Sequence, residues 1–311
     1  MSPKSNPKCP ACGAGSWKNG VSRTGRQRYV CPSCGKKFDE RAGTPYHWLH
    51  KPERDVLMAT VLYVKYPLSS YQVEEILELF GIEASARQIE RWPKRFGPAA
   101  RRILGRYKVR FSKVWHVDEK FTPHDRAPSE KYKRGRRKWA YQITVLDSRS
   151  NVVASYLAPE RSTEAAREAL RRARDAAGFS PDFVVSDDCF IYDRGVNVLG
   201  RRTRHVRAHF EGKLYPHGKG AVLLSNNRIE RYHSTLAPKV RSMRGVKNLE
   251  LGDQFFQVYN FMHNLFRKGR LKRILGRLSI MPSWEGLTRL FYLVRDLSPG
   301  FAVRTERRRD G

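Results

Sequence analysis

Acidic residues are scarce in this chain. Thirty Asp and Glu stand against 61 Lys and Arg in 311 residues, a formal net charge of +31. So large an excess repels itself in the compact state and calls for a compensating partner. A basic partner is excluded, and nucleic acid is favoured, because phosphate contacts and counterion release reward many Lys and Arg side chains. Long apolar runs are also missing. The longest, Val56 to Val64, is far too short to span a bilayer. No basic amphipathic helix with a clear apolar face argues for a membrane surface. The opening residues MSPKSNPKCP carry no hydrophobic signal region. The expectation is a soluble cytoplasmic protein, associated with the nucleoid when bound to DNA. Cysteines number only five, too few for a disulfide scaffold, and without a secretion signal their clustering argues for metal.

Four of the cysteines form two close pairs, Cys9-x2-Cys12 and Cys31-x2-Cys34, each in the form Cys-Pro-x-Cys-Gly. This spacing matches a four-cysteine zinc ribbon, in which two tight turns present four thiolates to one tetrahedral ion. Glycine after the second cysteine lets the backbone bend around the metal. Four protein ligands leave no open position, so the expected role of the single Zn2+ is structural. Arg23, Arg26 and Arg28 lie between the pairs and face either DNA or solvent. Cys189 stands alone and reads as a small buried hydrophobe.

The length suggests about two domains as a soft prior, but the pattern divides further. Residues 1–45 read as the zinc ribbon. Residues 50–100 read as helical: Asp55–Lys65, a second helix capped by Ser69 or Ser70 and stopped by Gly81, and a third from Ser85 through Ile89 and Trp92 towards Phe96, against which Pro93 counts because it loses a backbone hydrogen bond. Helix, glycine turn and helix make the outline of a helix-turn-helix. Residues 110–267 alternate strand and helix signals. Val114–Phe121, Lys138–Asp147 and Asn151–Leu157 read as strands joined by short turns, Thr163–Ala177 as an amphipathic helix, and Asp182–Asp187 and Arg204–His209 as further strands, with a helix starting at Asn227. The expected class is α/β, a mixed sheet flanked by helices. Residues 268–311 read as a basic helical tail.

Three carboxylates stand out in the strand-helix region. Asp118 shares a strand face with Val114 and His116, at the end of a mainly apolar run where a carboxylate is costly unless something positive meets it. Asp187 and Asp188 end a buried strand and point oppositely, so only one readily faces Asp118. Glu230 lies in the first turns of a helix, where it also fits a capping box with Asn227. Two strand regions and a helix can thus converge three carboxylates on divalent metal, for which oxygen ligands suit Mg2+.

The segments WHVDEKF (115–121), KWAYQITVLDSRSNVVASYL (138–157), FVVSDDCFIY (183–192) and NNRIERYHSTLAPKVRSMRGV (226–246) resemble the catalytic domain of the DDE transposases of prokaryotic insertion sequences, over roughly residues 110–267. The resemblance implies a ribonuclease H-like, integrase-like fold and DNA cleavage at element ends followed by strand transfer of the 3′-hydroxyl. It implies Asp118, Asp187 and Glu230 as the catalytic trio holding two Mg2+ or Mn2+ ions, with Asp188 as the alternative to Asp187. It also implies double-stranded DNA as partner and a homo-oligomer, since two ends must be held together. Relatives carry a basic residue seven positions after the Glu; here that position is Ala237, and Lys239 or Arg241 stands in. Further DNA contacts are expected from the run KYKRGRRK, through Lys131, Lys133, Arg134, Arg136, Arg137 and Lys138. His233, three residues past Glu230 on the same helix face, is expected at phosphate or beside a metal ligand. Trp139 reads as core rather than as a stacking surface. The alternatives are a non-catalytic DNA-binding regulator, which has no use for all three carboxylates, and a metal-dependent nuclease that cuts without joining.

Overall fold

The computed structural model describes residues 6–106, 111–124, 138–208, 212–217, 220–266 and 283–292. They fall into two compact units, the first made of the residues up to Leu57 together with 283–292 and the second of those from Met58 to Phe266. In the first, strands β1 (Trp17–Val21), β2 (Gln27–Val30) and β3 (Lys37–Asp39) form an antiparallel sheet in that order. Each cysteine pair closes a tight turn: Gly13 N–H donates to Cys9 O and Gly35 N–H to Cys31 O, both at 2.9 Å. Gly13 and Gly35 sit at φ +75° and +70°, a conformation other residues adopt at a cost. Tyr29, Phe38 and Ala42 pack with Cys9 and Cys31 into a small core. Buried Arg41 pairs with Glu53, the first residue of α1 (Glu53–Lys65). Tyr292, at the end of the last described helix (α8, Trp284–Tyr292), donates to the same carboxylate at 2.7 Å.

In the second unit, α2 (Ser70–Leu79) opens with a reciprocal capping box between Ser69 and Gln72. Gly81 at φ +68° turns the chain, and Ser85 and Gln88 repeat the box at the start of α3 (Ala86–Arg106). The third helix forms and continues beyond Phe96; α3 runs through Pro93 and Pro98. Each proline removes one backbone hydrogen bond. Burial of Ile89, Trp92, Phe96, Ala100 and Ile103 along one stripe holds the helix regardless.

The main sheet has the order β6-β5-β4-β7-β8, formed by β4 (Val114–His124), β5 (Lys138–Asp147), β6 (Val152–Ala158), β7 (Phe183–Ser186) and β8 (Arg204–Arg207). The first three strands are antiparallel meander neighbours, while β7 and β8 run parallel to β4. This is the ribonuclease H-like arrangement that the resemblance implies. Strand alternation sends Trp115, Val117, Ile143 and Val145 to one face. There they meet Ala165, Ala166, Ala169, Leu170 and Ala173 of α4 (Thr163–Ala177). Ser162 caps α4 and Gly178, at φ +78°, ends it. The other face lies under α6 (Asn227–Ser242) and α7 (Leu249–Leu265). Two α7 side chains satisfy the outer edge of β6. Asn264 accepts from Val152 N–H at 2.9 Å and donates to Val152 O at 2.7 Å, and Asp253 accepts from Leu157 N–H at 3.0 Å.

Turn chemistry locks the meander. Buried Asp147 accepts from the backbone amides of Ser112, Arg149 and Asn151 and from the Asn151 side chain, at 2.7–3.0 Å. A short α5 (Phe190–Gly195) follows β7, and a hairpin, β9 (Lys213–His217) with β10 (Gly220–Leu224), precedes α6. The sequence reading did not anticipate this hairpin.

Candidate active site and metal centres

Asp118 lies midway along β4, Asp187 just past the end of β7, and Glu230 in the first turn of α6. Parallel pairing of β4 with β7 brings the first two to the same end of the sheet, and α6 packs on β4. The three carboxylates feel one another. Burial raises the Asp187 carboxyl, and the nearby Asp118 charge adds to this, while the Cys189 amide opposes it. Burial also raises Glu230, which Asp118 and Asp187 push further and His233 offsets. Asp188 is exposed and is not among the charges that act on Glu230. The charges that act on Glu230 are thus those of Asp118, His233 and Asp187. The capping-box alternative for Glu230 is not formed, since the helix is capped at Asn226 and that side chain makes no capping bond.

His233 is buried, with Nδ1 3.3 Å from Asp118 Oδ2. It stands beside the carboxylate and not on an open phosphate-contact surface. His116, on the Asp118 face of β4, is buried too. Desolvation, aided by the Arg228 charge, lowers it to about 4, so it is a neutral packing residue at ordinary pH.

The neighbour of Asp118 has a separate task that the sequence reading missed. Glu119 points to the opposite face, where its side chain is 2% exposed and pairs with Arg161. Tyr192 O–H, itself buried, donates to the other Glu119 oxygen. Burial raises the Glu119 carboxyl, while Tyr192 and Arg161 work against that rise. For Arg161 burial disfavours the charge, but Glu119, Cys189 and Asp187 outweigh it. A signal did exist. A Glu alternating onto the buried face of a strand demands a cation.

Residues 126–269 match the family model described as a DDE domain. The central part of this chain is thus similar to DDE transposase domains. The matched segment contains Asp187 and Glu230 and begins after Asp118. Among curated relatives of the DDE domain, the transposase for the insertion sequence-like element IS431mec of Staphylococcus aureus is 23% identical over 218 residues, covering 70% of this chain and 87% of that protein. The transposase of IS257 in transposon Tn4003, also from Staphylococcus aureus, matches to the same extent. Among solved structures, the Mos1 strand transfer complex aligns over 79% of this chain and 76% of that one at 14% identity, with a TM-score of 0.26. A pre-cleavage Mos1 transpososome gives 13% and 0.25. Overlap at that level carries no weight for the fold, which rests on the strand order itself.

The N-terminal unit presents a second candidate metal centre. The ligand atoms of Cys9, Cys12, Cys31 and Cys34 lie within 4.8 Å of one another, the only such group among the described residues. Thiol pairs stand at 3.4–3.6 Å. Four sulfurs about 2.3 Å from one tetrahedral ion would be roughly 3.8 Å apart, so the cradle fits Zn2+. Burial raises the Cys31 thiol, yet the Cys34 and Ser33 amides and the Cys12 and Cys34 thiols overcome it and bring it to about 6, while Cys34, against the Lys36 amide, is pushed up to about 12 by the Cys31 thiol and burial, and Cys12 is raised too. The three carboxylates do not close to within 4.8 Å. Their mutual repulsion in a partly desolvated site is nonetheless what a divalent cation with oxygen ligands would relieve, so they fit a metal too.

The expected DNA contacts divide. Arg241 is exposed on α6. Lys239 is not available: it is 1% exposed, and its ammonium donates to Leu68 O at 2.8 Å and lies 3.8 Å from the Tyr63 ring centre. The side chain that sequence placed on the DNA surface thus serves inside the helical layer, because α6 turns that face towards α1 and α7. Lys131, Lys133, Arg134, Arg136 and Arg137 lie outside the described residues, as does the Lys138 side chain. Trp139, expected in the core, is 39% exposed.

Proposed function

We propose that this chain is a DNA transposase that hydrolyses a phosphodiester at the ends of its element and transfers the freed 3′-hydroxyl into target DNA, with Asp118, Asp187 and Glu230 holding two Mg2+ or Mn2+ ions. One observation carries the reading: at one end of a ribonuclease H-like sheet, the Asp118 charge from β4 adds to the burial that raises Asp187 at the end of β7, and both act on Glu230 of α6. The three carboxylates would hold the divalent ions, which would supply an activated water and neutralise the leaving oxygen. The protein holds the ligands in place. The parallel β4–β7 pairing fixes Asp118 against Asp187, the Cys189 amide orients Asp187 at 3.1 Å, and His233 supports Asp118. No side-chain nucleophile is needed, since water and then the DNA hydroxyl attack phosphorus.

The zinc ribbon, Arg241, the 131–138 basic run and the α2–α3 helices supply DNA binding in this reading, with phosphate contacts setting affinity and base contacts the choice of end. A homo-oligomer acting on double-stranded DNA in the cytoplasm, at the nucleoid, follows from the need to hold two ends. No described helix is long and apolar enough to cross a membrane.

The test is strand transfer by purified protein on duplexes carrying its own element ends, with Mg2+ or Mn2+. Asp118→Asn and Asp187→Asn should each abolish cleavage while leaving DNA binding intact, and Asp188→Asn should retain it. Cleavage that survives Asp118→Asn overturns the assignment. Binding with no metal-dependent cleavage by the unaltered protein would favour a regulator instead.

A further inference from the structure

The three-stranded sheet of the N-terminal unit buries one face and leaves the other open. Tyr29 of β2 and Phe38 of β3 pair across the strands and turn to the cysteine core. Strand alternation sends their neighbours Arg28, Lys37 and Asp39 to the opposite face. Arg28 stands opposite Asp39, so Lys37 is its diagonal neighbour, about 7–8 Å away. Two turns add further cations. Arg26 N–H donates to Ser22 Oγ at 3.0 Å in the β1–β2 turn, and Lys36 O accepts from Cys31 N–H at 3.0 Å in the second cysteine turn. Arg26, Arg28, Lys36 and Lys37 line one groove of about 770 Å³, and Asp39 is the one acid among its described lining residues. That acid is engaged elsewhere: its Oδ1 accepts from Arg41 N–H at 3.0 Å and lies 3.7 Å from His47 Nδ1. None of the four cations has an ion-pair partner among the described residues.

Residues 42–50 supply the other wall of the groove, and Trp48 on it is 70% exposed. An indole is ordinarily among the more buried side chains. Here the chain on both sides of it is pinned. Tyr46 is fully buried, its ring 5.3 Å from that of Tyr292, and Leu49 O accepts from the Arg41 guanidinium. Trp48 is left at φ +61°, where a bulky side chain is strained and glycine is not. Strain of this kind persists where the surroundings impose it and clusters at binding walls.

We propose that this groove seats one strand of a DNA duplex, with Arg26, Arg28, Lys36 and Lys37 on its phosphates and the Trp48 indole against its sugar edge. The Arg28–Lys37 spacing is about two steps of one strand, each ~3.4 Å along the axis. Single strands are held by successive stacking platforms. One open indole beside four cations in the groove is instead the balance of duplex backbone contact. This rests on the reading of the chain as a DNA-binding transposase, and it names where the N-terminal unit grips. Lys18 and Arg23 are exposed on the same unit and do not line the groove.

The experiment measures binding of the full-length protein, without divalent metal ion, to a labelled duplex carrying the element end over a range of salt. Combining Arg26→Gln, Arg28→Gln, Lys36→Gln and Lys37→Gln should lower the salt slope by about 3.6, at ~0.9 for each phosphate contact. Lys18→Gln with Arg23→Gln should leave the slope unchanged. Trp48→Gly should bind about 10-fold more weakly and yet melt no earlier, because it gives up strain along with the indole. A slope that the four-site variant leaves unchanged overturns the proposal, as does an equal fall per charge in the Lys18 and Arg23 variant. Trp48→Gly that keeps full affinity overturns it too. If Trp48→Gly melts early, the glutamine variants still decide. Tighter binding of a single-stranded probe through the same four cations would make the partner a single strand and overturn the duplex assignment. Metal-dependent cleavage measured alongside separates the two readings. Asp118-dependent cleavage with an unmoved slope sinks only the groove. A groove-dependent slope without Asp118-dependent cleavage sinks only the transposase chemistry.

Discussion

Lys239→Met tests whether a side chain that sequence assigns to DNA is an internal strut. The Lys239 ammonium has no carboxylate within ion-pair distance among the described residues; it has Leu68 O and the Tyr63 ring. Desolvation lowers its pKa to about 7, with Glu90 opposing. Below about 7 both the folded and unfolded states carry the charge, and the burial cost is fully felt. Between about 7 and the unfolded value, roughly 10.4, the unfolded chain holds a proton that the folded chain has shed, so stability climbs with pH. One proton gives a slope of about 1.4 kcal/mol per pH unit at most. Two pH units give at most roughly 3 kcal/mol, and the ring and carbonyl contacts, which favour the charged form, reduce this to about 1–3 kcal/mol. Urea melts at pH 7 and pH 9 should therefore show the unaltered protein gaining that much on Lys239→Met. DNA affinity should keep its salt dependence, whereas loss of a phosphate contact would lower the slope by about 0.9. A stability difference that stays constant across the two pH values, with a reduced salt slope, refutes the reasoning.

Other perturbations have equally definite outcomes. A strong zinc chelator, or Cys31→Ser, should unfold the ribbon alone, read as new protease cuts between residues 6 and 57 with the melting of the sheet unit unchanged. Gly245→Ala puts a Cβ 2.5 Å from Pro123 O at a φ of +100°; the backbone conformation alone costs roughly 1–3 kcal/mol, so thermal melting should drop by several degrees. Asn264→Ala strips both outer hydrogen bonds from Val152 and should cost about 2–4 kcal/mol in urea melts, given the penalty for buried unpaired groups. Tyr192→Phe should leave DNA binding intact and lower stability by about 1–3 kcal/mol, because it removes a buried donor to Glu119.

The strands and α4 were legible because alternation and helical spacing of apolar residues follow directly from burial on one side. The zinc cradle was legible because its geometry is almost wholly local, two knuckles of four residues each. The three carboxylates were legible only as an expectation, since their convergence depends on parallel pairing across a long connection. What escaped was decided by tertiary packing. α3 passes Pro93 because its buried stripe outweighs a lost hydrogen bond. The β9–β10 hairpin, LYPHGKGAVLL, contains Pro216 and shows no clean alternation. Lys239 and Trp139 exchange the roles that composition suggests, the cation lying inside and the indole outside.

The buried Asp147 turn has a bearing on fidelity as well as stability. Asp118 and Glu119 are consecutive acids on one strand, one turned to His233 and the other to Arg161 and Tyr192. Sliding β4 by a single residue would exchange them, because the side-chain period is two. The result would still present a carboxylate on each face, so hydrophobic patterning alone penalises the error less than usual. Asp147 gathers amides from Ser112, just before β4, and from the turn into β6, which ties the start of β4 to the end of β5. That clasp removes the ambiguity the paired acids create, and its loss should yield molecules that are folded but misaligned, with a carboxylate at the cutting site that is one methylene too long.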